Sequence, residues 1–240
     1  MQKKTIAVDY RNLRFHNLNT DEFKHLKLLL FWPVFGLLFL FVERFYPVEQ
    51  YYPMYCGLDD MIPFCEWFLI PYLFWFVYLI GMLIYTLFCD VDAFRRMMKY
   101  IIVTYTVAIV IYLIFPTCQE LRPIAFEREN ILTAFIQGFY QFDTNTNVCP
   151  SIHVMGSLAV METALYSKTI RSKRMKAAFV VVAILICLST VFMKQHSILD
   201  VIAALPICIA AHFLCFRNNT DNAARLRRAD AFCQQLLNFS

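Results

Sequence analysis

Charged residues are scarce in this 240-residue chain. They make up 17% of it, whereas a soluble domain usually carries about 25%. Hydrophobic residues make up 60%, against about 45–50% in soluble domains. This composition excludes an ordinary soluble domain and predicts an integral membrane protein, long enough for one compact bundle of helices. The net charge of +4 is modest, so it gives no indication of nucleic-acid binding.

Several common sequence signatures are also missing. The nine cysteines include no C-x-x-C pair and no metal-ligand spacing, so neither a metal nor a cofactor is predicted. The N-terminal region has no early apolar core followed by small residues, so no cleaved signal peptide is expected. We find no internal repeat, low-complexity segment or second soluble domain.

Six apolar runs follow a polar, basic segment of residues 1–25. They cover residues 26–45, 67–89, 100–115, 151–166, 175–193 and 198–216. A helix needs about 20 residues to cross a bilayer core, so the third and fourth runs are short. The pattern predicts an all-α polytopic membrane protein with six transmembrane helices. Its domains would be a cytoplasmic segment at 1–25, a membrane domain at 26–216 and a cytoplasmic tail at 217–240.

The distribution of lysine and arginine predicts the orientation of these spans. With a cytoplasmic N-terminus, eighteen of the 22 lysines and arginines fall on the cytoplasmic side. The four on the opposite side are Arg44, Arg122, Arg128 and Lys194. Both termini are therefore expected in the cytoplasm. The start of the fourth run and the junction of the last two would face the outside or the lumen.

Residues 189–200 carry ionisable side chains at a predicted membrane boundary. His196 and Asp200 are four residues apart, so on a helix they share a face. A carboxylate bonded to one imidazole nitrogen fixes the tautomer and leaves the other nitrogen free to attack or to take a proton. Ionisable groups at membrane depth are costly and usually mark function. The alternative is that Lys194 extends to the interface and the His–Asp pair only caps a helix.

The segment Asn147–His153 supplies a second polar group on the same side. Proline favours the first turn of a helix, so the fourth span is expected to begin at or near Pro150. Free N–H groups near Ser151, together with the helix dipole, would form an anion site. His153 would lie one turn into that helix, at the same boundary as His196.

The long loop at residues 116–150 contains a helical pattern. Apolar residues recur at near-helical spacing, at Phe126, Leu132, Phe135, Ile136 and Phe139. They predict an amphipathic helix that lies on the membrane surface or packs on the bundle.

Four cysteines fall on the predicted outer side, at Cys56, Cys65, Cys118 and Cys149. Disulfides are permitted there in an oxidising compartment, and their pairing is open.

Together these residues resemble the type 2 phosphatidic acid phosphatase superfamily. The similarity covers Leu121-Arg122-Pro123, Pro150-Ser151-Ile152-His153, and Ser189 followed by His196 and Asp200. That family's second motif is Pro-Ser-Gly-His, and its third is Ser-Arg, five residues, His, three residues, Asp.

Three positions depart from the family pattern. Phe115 replaces a lysine, Ile152 a glycine and Thr190 an arginine, so two phosphate-binding cations are missing. Lys194, four residues after Thr190 on a continuing helix, and Arg128 are candidates to replace them. The motifs also resemble the branch related to inositol phosphorylceramide synthases, which move a phosphoryl headgroup to a lipid alcohol.

The resemblance implies a metal-independent, two-step mechanism. His196 attacks phosphorus, Asp200 orients the His196 ring, and His153 serves first as general acid and then as general base. Phosphate-binding roles would fall to Arg122, Ser151, Lys194, Ser189 and Arg128. The expected partners are a phosphorylated lipid substrate and membrane lipids, and the oligomeric state is open.

The resemblance leaves the reaction and the substrate open. The first reading is a lipid phosphatase that acts on a phosphomonoester or pyrophosphate. The alternatives are a lipid phosphotransferase and a non-catalytic carrier or scaffold with the same fold. Phosphatidate, phosphatidylglycerophosphate, polyprenyl pyrophosphate and sphingolipid phosphates are all candidate substrates.

Overall fold

The computed structural model describes residues 8–216, and the chain there is mostly helical. The α-helices are α1 (Phe31–Arg44), α2 (Gly57–Met61), α3 (Leu69–Cys89), α4 (Val91–Ile114), α5 (Ile131–Phe142), α6 (Ile152–Tyr166), α7 (Lys173–Phe192) and α8 (Ile198–Cys215). Short 3₁₀ helices cover Tyr10–Asn12, Phe15–Asn17, Lys24–Leu30 and Glu66–Phe68. Two short strands, β1 (Tyr52–Pro53) and β2 (Thr117–Cys118), pair in parallel. The predicted tail at 217–240 lies outside the described residues, as do Lys3 and Lys4.

Five helical segments in the described range are long and apolar enough to cross a membrane. They are Lys24–Arg44, Glu66–Cys89, Val91–Ile114, Lys173–Phe192 and Ile198–Cys215. The remaining predicted span corresponds to α6, which has 15 residues. A helix of that length is about 22 Å long, shorter than a bilayer core of about 30 Å. The prediction of a helical integral membrane protein is therefore confirmed, and the count of six spans stays a prediction that depends on α6.

Helix α6 lies at the centre of the bundle. It contacts α3, α4, α7 and α8, and Val154, Met155 and Val160 on it are fully buried. At Gly156 an added Cβ would come within 2.6 Å of the hydroxyl of Tyr105 and 3.0 Å of Trp75 Nε1. Glycine is therefore needed here for the close approach of α3 and α4 to α6. Because protein surrounds α6, its short length leaves little backbone facing lipid.

The predicted third span, residues 100–115, is wrong at its N-terminal boundary. Helix α4 begins at Val91, where the Asp90 side chain accepts a hydrogen bond from Ala93 N (3.1 Å), and Asp90 alone separates it from α3. Hydropathy falls at Arg95, Arg96 and Lys99, although the helix continues through them. These charged residues mark the limit of the apolar part of α4, and not the start of the helix.

One end of the bundle collects most of the basic residues. Asp90 also accepts hydrogen bonds from Ser167 Oγ (2.7 Å) and Lys168 N (3.1 Å), which brings the α6–α7 loop to the α3–α4 junction. Arg96 Nη1 donates to Cys215 O (2.8 Å), so α8 ends there too. This basic end is the one predicted to face the cytoplasm.

The opposite end carries α2, α5 and the first turns of α6 and α8. The predicted helix in the long loop is α5. Its Ile136 is fully buried in a cluster with Leu69, Tyr72 and Met193, whereas Ile131 and Phe135 are exposed. Helix α5 therefore packs on the bundle, as one of the two alternatives predicted, and its exposed face stays a candidate membrane contact.

The eight cysteines in the described range are free thiols. They include the four whose pairing the sequence left open, Cys56, Cys65, Cys118 and Cys149.

Candidate functional site

The His196–Asp200 contact forms at a helix start. Helix α8 begins at Ile198, and its N-cap Ser197 accepts a hydrogen bond from Leu199 N (3.1 Å). The Asp200 carboxylate reaches back to Ser197 N (3.0 Å) and to His196 Nδ1 (3.0 Å). The two side chains therefore meet as expected, but through a capping box and not as two residues on one helical face. Because Nδ1 is engaged, Nε2 is the ring nitrogen left for chemistry.

Lys194 does not continue helix α7. The helix ends at Phe192, and Lys194 has a left-handed backbone conformation with φ 51°. His196 N then donates to Thr190 O (3.0 Å), which closes the turn between α7 and α8. The prediction that Lys194 shares a helical face with Thr190 is therefore wrong. This turn places His196 directly before α8.

His153 lies in the first turn of α6, as the Pro150 signal predicted. The helix starts at Ile152 with Ser151 as its N-cap, and Ser151 N donates to Asp200 O (3.2 Å). The His153 ring packs between Tyr72 and Trp75, with centroids 4.6 and 4.5 Å away. Its centroid is 5.7 Å from that of His196. The bond from α6 to α8 thus brings the two predicted catalytic histidines together.

Both histidines line one small polar cavity of about 40 Å³. The other walls are the carboxylate of Asp143, two tyrosines, four neutral polar side chains and three apolar ones. These are Tyr72 and Tyr112, then Thr144, Thr146, Asn147 and Gln195, then Phe39, Val148 and Ile152. Among the residues that the structure describes, no lysine or arginine lines this cavity. The site therefore offers imidazoles, one carboxyl group and neutral hydrogen-bonding groups to a ligand.

Arg122 is absent from the lining of the cavity, and both of its terminal nitrogens donate hydrogen bonds to nearby residues, whereas its buried Nε has no partner among the described residues. Its guanidinium donates to the carbonyls of Tyr140 (2.8 Å), Asp143 (2.8 Å) and Thr144 (2.9 Å), and to Gln195 Oε1 (2.6 Å). It also covers the Tyr140 ring at 4.5 Å. Burial lowers the pKa of Arg122, and the charge on Asp143 opposes that shift. In this arrangement Arg122 orders the loop that carries Asp143.

The other predicted phosphate-binding side chains lie outside the cavity. Lys194 Nζ donates to Asp59 O (2.6 Å), and the hydroxyl of Ser189 donates to Ile186 O (2.6 Å). Burial lowers the pKa of Lys194, and the charges of nearby Asp59 and Asp60 partly oppose that shift. Their roles stay predictions.

Arg128 and Ser151 have separate surroundings. The Arg128 side chain is 76% exposed and lies 4.0 Å from Glu66 Oε1, in a different cavity. The hydroxyl of Ser151 accepts a hydrogen bond from Val154 N (3.4 Å). Only Ser151 of these two is near the histidines, and phosphate binding by either is a prediction.

Asp59 is a site residue that the sequence reasoning missed. It is 1% exposed, and its carboxylate accepts hydrogen bonds from Ile198 N (2.8 Å), Ser197 Oγ (2.6 Å) and Cys56 N (2.9 Å). It therefore holds the first turn of α8, directly after His196. In the sequence, the only indication of this role is that Asp59 is an acidic residue in an apolar region. The neighbouring Asp60 has the same sequence context but is exposed, so the sequence does not distinguish the two.

Asp143 and Glu43 were also missed. Asp143 Oδ2 accepts a hydrogen bond from Tyr72 (2.9 Å), and burial raises the pKa of the Asp143 carboxyl. Glu43 at the end of α1 accepts hydrogen bonds from Asn147 Nδ2 (2.8 Å), Thr146 Oγ1 (3.2 Å) and Thr144 Oγ1. These two acids anchor the loop that closes the cavity.

The geometry agrees with the result of comparing the chain with known proteins. The family model described as the PAP2 superfamily, the type 2 phosphatidic acid phosphatases, matches residues 96–224. The match covers more than half of the chain and includes His153, His196 and Asp200. No curated protein and no solved structure matches the chain.

Proposed function

Because the chain belongs to the PAP2 superfamily, whose members are generally phosphatases or phosphotransferases, we propose that it removes the phosphoryl group of a membrane lipid. One observation carries the proposal: the His196–Asp200 pair faces His153 across a single polar cavity. The substrate would be a lipid phosphomonoester or pyrophosphate, and water would be the acceptor.

In the first step Nε2 of His196 attacks phosphorus, and the bond from phosphorus to the lipid oxygen breaks. Asp200 on Nδ1 keeps Nε2 unprotonated beforehand and stabilises the imidazolium that forms. His153 donates a proton to the departing lipid oxygen. The product is a phosphohistidine and a lipid alcohol.

In the second step His153 takes a proton from water, whose oxygen attacks phosphorus. The phosphorus–nitrogen bond then breaks and phosphate leaves. The N–H groups at the start of α6 would stabilise the phosphoryl oxygens in both steps, and the positive charge of Arg122 behind the cavity would act on them at longer range. No metal is required in this scheme.

The site is proposed to face the outside or the lumen. It lies at the end of the bundle opposite to the basic α3–α4 junction and α6–α7 loop. Lysine and arginine favour the cytoplasmic side, which supports an extracytoplasmic position for the opposite end.

Transfer to a lipid alcohol is the second candidate function. It would use the same two histidines, with the alcohol in place of water in the second step. The polar lining of the cavity favours it, since Asp143, Thr144 and Asn147 carry oxygens that can accept a hydrogen bond from an alcohol.

The test is phosphate release by purified protein from a panel of lipid phosphates, with EDTA present. The His196→Ala variant should lose at least about 10³-fold in kcat. The His16→Ala variant is the matched control, because His16 is exposed in the N-terminal segment. Release that survives in His196→Ala would overturn the role of His196, and loss of release in EDTA would overturn metal independence.

A wild-type protein that releases no phosphate is next assayed with an added lipid alcohol. A new phosphodiester would then identify the transferase. No product in either assay would indicate the non-catalytic carrier or scaffold.

A further inference from the structure

One part of the cavity wall is rich in hydrogen-bond acceptors. It consists of Asp143, Thr144, Thr146 and Asn147, consecutive positions apart from Asn145 in the loop after α5. We call these four residues the acceptor wall.

Glu43 occupies the donors of the acceptor wall. Its carboxylate accepts the hydrogen bonds of Thr144 Oγ1, Thr146 Oγ1 and Asn147 Nδ2. A hydroxyl whose proton is used this way retains acceptor capacity on its oxygen, and an amide retains its carbonyl. Asn147 is 4% exposed, and its Oδ1 has no hydrogen-bond partner among the described residues. The side-chain oxygens of the wall therefore retain capacity to accept hydrogen bonds.

Asp143 adds a carboxylate to the same wall. Tyr72 donates to Oδ2 at 2.9 Å and fixes the side chain beside the histidines. A carboxylate repels phosphate oxygens but accepts a hydrogen bond from an alcohol. The wall is thus unsuited to the phosphoryl group and suited to a neutral group that donates hydrogen bonds.

On these contacts we propose that the acceptor wall is a subsite for an alcohol hydroxyl next to the reacting phosphate. This rests on the proposed function of the two histidines. The hydroxyl belongs either to a polyol headgroup of a lipid phosphodiester or to an acceptor alcohol in the second step. The cavity of about 40 Å³ has room for a few water-sized groups, such as a hydroxymethyl group.

The donor arm of the test compares two lipids that differ only in headgroup hydroxyls. Phosphatidylglycerol and phosphatidylpropanol have the same charge and the same carbon count, and diacylglycerol release is measured for both. Wild-type protein should favour phosphatidylglycerol at least about 10-fold in kcat/KM, mostly through KM. Phosphatidylpropanol has no headgroup hydroxyl, so its complex leaves buried acceptors unpaired.

The acceptor arm uses phosphatidate as the phosphoryl donor. Glycerol and 1-propanol are supplied at equal concentration, and the new phosphodiesters are quantified against free phosphate. A preference for glycerol of about 10-fold here, without one in the donor arm, assigns the hydroxyl to the acceptor.

Two variants connect the preference to the acceptor wall. In Asp143→Asn and Thr144→Val the ratio between hydroxyl-bearing and hydroxyl-free compounds should fall towards one. Thr106→Val is the matched control, since Thr106 is exposed on α4 away from the cavity, and it should keep the wild-type ratio. Two independent variants are used because either one alone can fail to fold.

The outcomes separate this proposal from the proposed function. Turnover that depends on His196 but shows no preference in either arm overturns the subsite and leaves the function standing. If the protein instead prefers phosphatidylethanolamine over phosphatidylglycerol by a similar factor in kcat/KM, the assignment of the acceptor wall to an alcohol hydroxyl is overturned. If wild type shows no turnover, binding of the two donor lipids to His196→Ala protein decides: tighter binding of phosphatidylglycerol supports the subsite, and equal binding overturns it.

Discussion

Replacing Asp59 with alanine should loosen the start of α8 and displace His196. The change removes three hydrogen bonds, from Ile198 N, Ser197 Oγ and Cys56 N. The serine hydroxyl can rotate to another acceptor, but the two backbone N–H groups cannot. A buried donor left without a partner costs about 1–3 kcal/mol, so two give roughly 2–6 kcal/mol. We expect a loss of about 3 kcal/mol, since water reaches part of this loop.

The assay is thermal unfolding in one detergent, with Asp60→Ala as the control. Asp60 is exposed and adjacent in sequence, and it accepts a hydrogen bond from Tyr55. A loss of 3 kcal/mol corresponds to roughly 6–12 °C in Tm for a chain of this size. The kcat for lipid phosphate should fall by more than KM rises, because a displaced His196 affects the chemical step. Asp59→Asn, which keeps one acceptor oxygen, should recover part of both losses.

The reasoning would be refuted if Asp59→Ala and Asp60→Ala had the same Tm and kcat. A lower Tm with unchanged kcat would limit Asp59 to a structural role.

Three further changes test other contacts. Gly156→Ala should lower the free energy of unfolding by about 1–3 kcal/mol, because the added Cβ meets Tyr105 Oη at 2.6 Å. Gly81→Ala is the control, since nothing lies within 4 Å of its added Cβ. Equal melting temperatures of the two variants would contradict this. Arg122→Lys should lower the free energy of unfolding by about 2 kcal/mol and reduce kcat, because an ammonium cannot replace the guanidinium hydrogen bonds to three carbonyls and Gln195. An unchanged Tm would argue against the role of Arg122 in ordering the loop that carries Asp143. Burial raises the pKa of Asp143 in the folded protein. The protonated carboxyl therefore contributes to stability at low pH, and this contribution is lost as pH rises through the folded-state pKa. The Tm of Asp143→Asn relative to wild type should therefore rise between pH 4 and 7, and a flat difference would exclude this.

The sequence predicted the apolar helices and the proximity of His153, His196 and Asp200, because both leave local signals. Long apolar runs mark α3, α7 and α8, and Pro150 marks the start of α6 within two residues. The boundary of α4 was wrong because Arg95, Arg96 and Lys99 end the hydropathy signal inside a continuing helix.

The parts of the site that the sequence did not predict depend on tertiary contacts. Nothing local separates buried Asp59 from exposed Asp60, since the partners of Asp59 lie in α8. Lys194 was expected on a helix, but the left-handed turn at this residue is set by the path into α8. The position of Arg122 behind the cavity follows from the fold of the loop after α5, which carries no repeating pattern.

The distance along the chain between Asp59 and Ser197 has a consequence for biosynthesis. The two residues are 138 positions apart, so the carboxylate leaves the ribosome long before its partners exist. At about 5–20 residues per second, the nascent chain waits roughly 7–28 s with this acid unsatisfied beside the translocon. During that interval the loop between α1 and α3 can pair with β2, but Asp59 lacks the donors that α8 later supplies.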